Sequence, residues 1–208
     1  MGTVYLPPEK GLHSLPESKL LALKAEIRHT MNRKDRSAYA EDLKLDTEKL
    51  LKMTPGELVD AGVCPTCLNR RYGGAVYGDN TDRLVYEDGD IECFFVGNPR
   101  ARGHMCISTI EHYHDLSEAP DRINEKIIRF ARQLMIILKE EYQCERVYLC
   151  SMCDGPVNHY HVQLIPRYSF EKRGSSNFVK QRSAYVFEPD HFQAVKEKIG
   201  AYAEAYEK

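Results

Sequence analysis

Between Asn158 and Arg167 the chain reads Asn-His-Tyr-His-Val-Gln-Leu-Ile-Pro-Arg. Polar and apolar side chains alternate along it, and an extended strand sorts such a period onto two faces. Tyr160, Val162 and Leu164 fall on one face, which is expected to pack on a core. His159, His161, Gln163 and Ile165 fall on the other, which therefore carries two imidazoles and an amide. Successive residues on one face stand about 7 Å apart. Pro166 is expected to stop the strand, because proline has no N–H for the ladder. Alone, the stretch leaves room for a plainer reading, a half-exposed strand with incidental polar residues. The rest of the chain argues for more.

The flanking sequence offers partners for such a strand. Leu84-Val85-Tyr86, the run 91–96 and the run 104–109 are short and apolar, separated by Asp88-Gly89 and by Gly97-Asn98-Pro99-Arg100 with Gly103. Strands joined by turns this short form an antiparallel meander. A long helix is predicted over residues 121–142, with Ile123, Ile127, Ile128, Ala131, Leu134, Met135 and Leu138 as its buried stripe. Residues 147–151 return as a strand, and Asp154-Gly155-Pro156 turns the chain. Residues 169–184 read as a loop whose Lys172, Arg173, Lys180 and Arg182 could reach a phosphate, with a solvated basic loop as the favoured reading. A C-terminal helix follows over 190–206, with Phe192, Val195 and Ile199 on one side. Toward the start, helices are predicted over 17–33 and 37–53. Thr54-Pro55-Gly56-Glu57 opens a third with a capping box. The expected architecture is α+β: an antiparallel sheet with a long helix. Residues 1–60 form an N-terminal helical extension and 61–170 a catalytic domain. Residues 171–208 supply a loop and a helix packed on that domain.

Composition excludes several classes. Lys and Arg number 29 against 31 Asp and Glu, a net charge of -2, which does not suit a coat for nucleic acid or anionic membrane. No uncharged apolar run is long enough to span a bilayer. Residues 1–10 lack the apolar segment of a signal peptide, so the cytoplasm is the expected location. There thiols stay reduced, and seven cysteines, an odd number, also speak against a full disulfide framework.

Cys64-Pro65-Thr66-Cys67 places two thiols on one turn. Two such thiolates can close on a single tetrahedral ion; a redox pair or two unrelated thiols are the alternatives. A metal needs two further ligands, and His112, His114 and His159 are the candidates. A Cys, Cys, His, His set suits zinc. With His159 on a metal, His161 is left free on the same face. A neutral imidazole, with a reference pKa of about 6.5, can attack phosphorus and form a covalent intermediate. Gln163 does not titrate, but its amide can donate to a phosphoryl oxygen.

Residues 85–116 resemble the first half of a histidine-triad (HIT) domain: an acidic turn, an apolar strand, a proline turn, Gly103-His104, another strand, then His112 a few residues before Leu116. His159-Tyr160-His161-Val162-Gln163-Leu164-Ile165-Pro166-Arg167 resembles the family's signature strand. The resemblance covers about residues 61–168. It implies a HIT-like antiparallel fold and nucleotide chemistry at a histidine. It further implies a structural zinc on Cys64, Cys67, His112 and His159, with His161 as nucleophile. A phosphate-binding turn is implied around residues 154–158, with Gly155 and Asn158 as its contacts. Where hydrolases of the family carry histidine, this chain has Gln163. In that it resembles the branch of galactose-1-phosphate uridylyltransferase and dinucleoside polyphosphate phosphorylase, although Pro156-Val157-Asn158 replaces the Ser-Asn-Pro of the uridylyltransferase. The expected function is nucleotidyl transfer or phosphorolysis on nucleoside phosphates through a nucleotidyl-histidine. The alternatives are a HIT-type hydrolase and a non-catalytic zinc-stabilised nucleotide-binding module. Members of the family are often dimers, so the resemblance leaves a homodimer open.

Overall fold

A computed structural model describes residues 50–78, 80–153 and 155–206. The helices predicted over 17–33 and 37–53 lie outside the described residues, apart from 50–53 at the end of the second. Helix α1, Pro55–Asp60, opens as its sequence dictates. The Thr54 hydroxyl accepts the Glu57 N–H at 3.3 Å, and the Glu57 carboxylate accepts the Thr54 N–H at 2.8 Å. Helix α2, Pro65–Arg71, follows at once, capped by Cys64. Leu50, Met53, Leu58, Ala61, Val63 and Leu68 make one small buried cluster around these turns. The cluster belongs to a compact unit that takes in the described residues up to Gly78, with Glu111–His114 and Cys153–His159. The second unit holds Asn80–Ile110, Asp115–Met152 and the chain from Tyr160 onward.

The second unit is built on a five-stranded antiparallel sheet. Its strands are β1 Leu84–Glu87, β2 Ile91–Phe95, β3 Met105–Thr109, β4 Arg146–Cys150 and β5 His161–Arg167, in the order β1-β2-β3-β5-β4. Asp88 sets the first hairpin. Its Oδ1 accepts the N–H groups of Asp90 at 2.8 Å and Ile91 at 3.0 Å. Lys126, from helix α3 (Asp121–Tyr142), reaches the same carboxylate at 2.7 Å. Helix α3 contacts β3, β4 and β5, and helix α4, Pro189–Tyr206, packs on α3 and β1. The buried face of α3 is Ile123, Ile127, Phe130, Ala131, Leu134, Ile137, Leu138 and Tyr142. Ile128, expected in that stripe, is exposed. It stands about 100° around the helix from Ile127, whereas Phe130 and Ile137 continue the i, i+3, i+7 row. Gly103, in the β2–β3 turn, has φ +74°, and a Cβ there would meet the Tyr142 ring at 3.1 Å. Both the backbone and the ring require glycine.

Strand β5 lies between β3 and β4, with Ser108 opposite His161 and Cys106 and Cys150 both opposite Gln163. It begins at His161, three residues later than the alternation predicts, because β3 runs out at Thr109, whose N–H takes the Tyr160 carbonyl at 3.1 Å. It also continues through Pro166 to Arg167 instead of stopping. The last β3 partner is Leu164, and the Arg167 carbonyl accepts Glu145 N–H from the β4 side. Alternation then turns the Pro166 nitrogen toward the side that β3 has left, where no N–H is needed. Arg167 is buried and paired with Glu145 at 2.8 Å.

Only His161 of β5 is partly exposed; Gln163 on the same face is buried. Segment 171–184 reaches over that face through Asn177 and Phe178; Lys172 and Arg173 are exposed as a solvated loop requires, whereas Lys180 and Arg182 are half-buried. The segment contains a 3-10 turn at Ser175–Val179. The buried Asn177 amide donates to the carbonyls of Lys172 and Gly174, both at 2.9 Å, and to the Tyr148 hydroxyl at 3.3 Å. Tyr148, opposite Ile165 on β4, also stacks on Phe178 with centroids 4.8 Å apart. Lys180 pairs with Glu171, and Arg182 donates to the Asn98 carbonyl at 2.7 Å. Asn177 satisfies the carbonyls that a covered loop would otherwise bury unpaired. Among the described residues no helix is long and apolar enough to cross a membrane.

Candidate functional site

Cys64, Cys67, His112 and His159 converge within the first unit, each offering one donor atom, all within 4.8 Å of one another. Helix α2 arranges the thiols. Cys64 caps it and Cys67 closes its first turn, donating its N–H to Cys64 Sγ at 3.4 Å. His159 Nδ1 lies 3.5 Å from Cys64 Sγ and 3.3 Å from Cys67 Sγ. His112 Nδ1 lies 3.4 Å from Cys67 Sγ. Sulfur and nitrogen on adjacent corners of a tetrahedral zinc centre stand about 3.6 Å apart, given the usual Zn–S and Zn–N bonds. The residues therefore fit a structural zinc in spacing, count and donor type. The thiols themselves ask for a cation. The hydrogen bond from Cys67 lowers Cys64 well below the ordinary thiol value, helped by His112 and His159 and opposed by burial. The same bond, with burial and the Cys64 charge, pushes Cys67 up. The protein alone thus holds one thiolate comfortably here; a metal ion stabilises two.

His114 is not one of the four; its ring meets His112 edge-on, centroids 5.1 Å apart. The Asn158 amide donates to the His114 carbonyl and so ties together the two loops that carry His112 and His159. Gly155 stands in the turn before it, with Val59 nearby. Asp154, the first residue of the expected phosphate turn, lies outside the described residues.

In the second unit, Gln163 Nε2 lies 3.4 Å from His161 Nε2. An amide nitrogen only donates, so the His161 Nε2 carries the lone pair in this contact and its ring proton belongs on Nδ1. Behind Gln163 stands His104, a residue to which the sequence reading assigns no role. It is 1% exposed, and its Nδ1 accepts the Arg100 N–H at 3.0 Å. That bond puts the His104 proton on Nε2. Neither His104 Nε2 nor Gln163 Oε1 has a hydrogen-bond partner of good geometry, yet one is a donor and the other an acceptor, and the Gln163 side chain helps support the His104 ring. Of the two contacts of Gln163, the one to His161 is a hydrogen bond, and the one to His104 brings a donor and an acceptor together without closing one. A lone histidine in an otherwise apolar run, directly after a glycine, was the available signal.

Burial, then the positive charge of Arg182, lowers the His104 pKa to about 3; Gln163 opposes this, and Arg100 and Lys180 add to it. The unfolded imidazole takes its proton near pH 6.5 or so. Between those values only the unfolded state binds the extra proton, so stability falls as pH drops from about 6.5 toward 3. Chemical denaturation at neutral and mildly acidic pH should show this slope. In His104→Asn, which keeps an acceptor for Arg100 but cannot titrate, the slope should be shallower.

Residues 77–170 match the HIT domain family. The matched HIT segment spans a little under half of the chain. It contains His104, His112, His159, His161 and Gln163, whereas Cys64, Cys67 and Arg182 lie outside it. An uncharacterised HIT-like protein of Methanocaldococcus jannaschii is 28% identical over 96 residues, which are 45% of this chain and 74% of that protein. Among solved structures, a hypothetical histidine triad nucleotide-binding protein from Sulfolobus tokodaii aligns over 68% of this chain and 93% of its own, with 17% identity and a TM-score of 0.49. A zinc-bound histidine triad family protein from Mycobacterium smegmatis aligns over 59% and 86%, with 15% identity and a TM-score of 0.44.

Proposed function

We propose that the chain is a nucleotidyl transferase or phosphorylase that works through a covalent nucleotidyl-histidine at His161. The observation that carries the reading is the Gln163 amide at His161 Nε2, 3.4 Å away, which keeps a lone pair on that atom. In the first step Nε2 attacks the α-phosphorus of a nucleoside phosphate. A P–N bond forms, the P–O bond to the leaving group breaks, and the leaving phosphate departs with the electron pair as an anion. Nδ1 keeps its proton, so the intermediate is a phospho-imidazolium. In the second step an anionic phosphate oxygen attacks the same phosphorus, the P–N bond breaks and its pair returns to Nε2. Throughout, the Gln163 amide serves as donor, to Nε2 before attack and to a phosphoryl oxygen after it. Glutamine exchanges no proton at neutral pH, which favours anions as both leaving group and acceptor over an amine and water. Gly155 and Asn158 are kept as contacts to a substrate phosphate on the family resemblance alone. Zinc on Cys64, Cys67, His112 and His159 is structural and takes no part in these steps.

The test uses zinc-loaded protein and nucleotide sugars or dinucleoside polyphosphates labelled at the α-phosphate. Acid-labile label should appear on the protein and should discharge faster with inorganic phosphate or a sugar phosphate than with buffer. Absence of label with every donor removes the reading, and equal discharge by water with every acceptor makes the protein a hydrolase.

A further inference from the structure

Two guanidinium groups stand together where the β2–β3 turn meets the covering segment. Arg100 donates from Nη1 to the Lys180 carbonyl at 2.6 Å, and Arg182 donates from Nη1 to the Asn98 carbonyl at 2.7 Å. The Ser183 N–H closes the same seam on the Pro99 carbonyl at 2.9 Å. The lacing uses one nitrogen of each arginine, out of a fork with five N–H donors. Several neighbouring cations of this unit have carboxylates: Lys180 has Glu171, Arg102 has Glu188 and Arg167 has Glu145. Among the described residues neither Arg100 nor Arg182 meets one, and the buried Nε of Arg100 has no hydrogen-bond partner. An unmade bond to a buried charged donor is costly, and two partly buried cations side by side add repulsion. Burial and the Arg100 charge hold Arg182 below the ordinary guanidinium value, and both charges, with Lys180, reach His104 beside Gln163.

We infer that Arg100 and Arg182 form a binding site for a phosphate dianion. Two cations balance two negative charges, and each fork can meet two phosphate oxygens at once. The site adjoins the His104–Gln163 end of β5 and lies largely outside the machinery already described. Its role rests on the transfer reading above: it holds the phosphate that leaves or the phosphate that accepts. Inorganic phosphate and a sugar phosphate share that chemistry. The arrangement also explains why Arg182 sits on the covering segment, beyond the HIT match.

Isothermal titration of the zinc-loaded full chain with inorganic phosphate, and separately with a sugar 1-phosphate, tests the inference without any turnover. Wild type should bind at least one of them, and Arg182→Gln should bind it about 10- to 100-fold more weakly, the range for charged hydrogen bonds. Arg182→Lys, which keeps the charge but loses the fork, should fall between, and it carries the test if Arg182→Gln melts early or loses zinc. Lys172→Gln, an exposed change on the same segment, should bind as wild type. Tighter binding of the sugar phosphate would support a phosphomonoester as occupant, and tighter binding of inorganic phosphate would support that ion. Unchanged affinity in Arg182→Gln and Arg182→Lys, or no binding of either probe by wild type at millimolar concentrations, overturns the site. His161→Ala should retain full phosphate affinity. A failed nucleotidyl-histidine would then show as lost labelling with intact binding, and a failed anion site as the reverse.

Discussion

His161→Ala should lose turnover by a factor of about 1,000 or more, because no other group on the strand face can form the covalent bond. It should do so as a folded protein. His161 is the one partly exposed residue of β5, and the packing of that strand is carried by Val162, Leu164 and Ile165. Zinc content should equal that of wild type, since His161 is not among the four converging donors. Single-turnover labelling, metal analysis and thermal melting on one preparation separate the cases. An active His161→Ala removes the mechanism. An inactive variant without zinc would mean that the residue holds metal instead.

Zinc removal should have the largest effect on stability. Among the described residues of the first unit, Leu50, Met53, Leu58, Ala61, Val63 and Leu68 make one buried cluster, and the four converging zinc donors belong to the same unit. Structural zinc in small domains contributes about 10–16 kcal/mol of apparent binding free energy at neutral pH, and that energy is available to folding. A strong chelator, or Cys64→Ser, should therefore lower the melting temperature and open residues 50–78 to protease. One zinc per chain is expected. His112→Ala should lose it, whereas His114→Ala should keep it. Full zinc retention in Cys64, Cys67, His112 and His159 variants alike would rule out the site.

Much of this was legible in the chain. Thr54 and Glu57 announced their capping box, Asp88-Gly89 its hairpin, and residues 121–142 their helix, because these signals act within a few residues. The Cys64 and Cys67 pair alone leaves a metal, a redox couple or two unrelated thiols open, and the family resemblance prefers His112 to His114, a choice the converging donors bear out. Two histidines two apart on a loop are equivalent until the chain is folded. What escaped is long-range. Alternation gave β5 a polar face but not the Asn177 turn that covers it, since covering depends on residues 171–184 returning over the sheet. His104 was hidden because a buried histidine differs from a core residue only in what its nitrogens meet. Arg182 read most simply as one of four cations on a solvated loop; its half-burial beside Arg100 and its carbonyl partner on Asn98 come only with the fold.

The strand order carries a consequence for how the chain acquires its chemistry in time. Strands β1, β2 and β3 are consecutive neighbours, and so are β4 and β5, so each group can assemble from contacts close in sequence. The seam between β3 and β5 is the non-local one, with α3 and β4 in the intervening chain. Closing it sets Ser108 opposite His161 and Cys106 opposite Gln163, and it brings the strand bearing Gln163 beside the one that follows His104. The contacts within each group are local, yet neither group alone holds both His104 and Gln163. The juxtaposition of His104 with Gln163 is therefore acquired only when the longest loop of the sheet closes, later than the contacts within either group of strands.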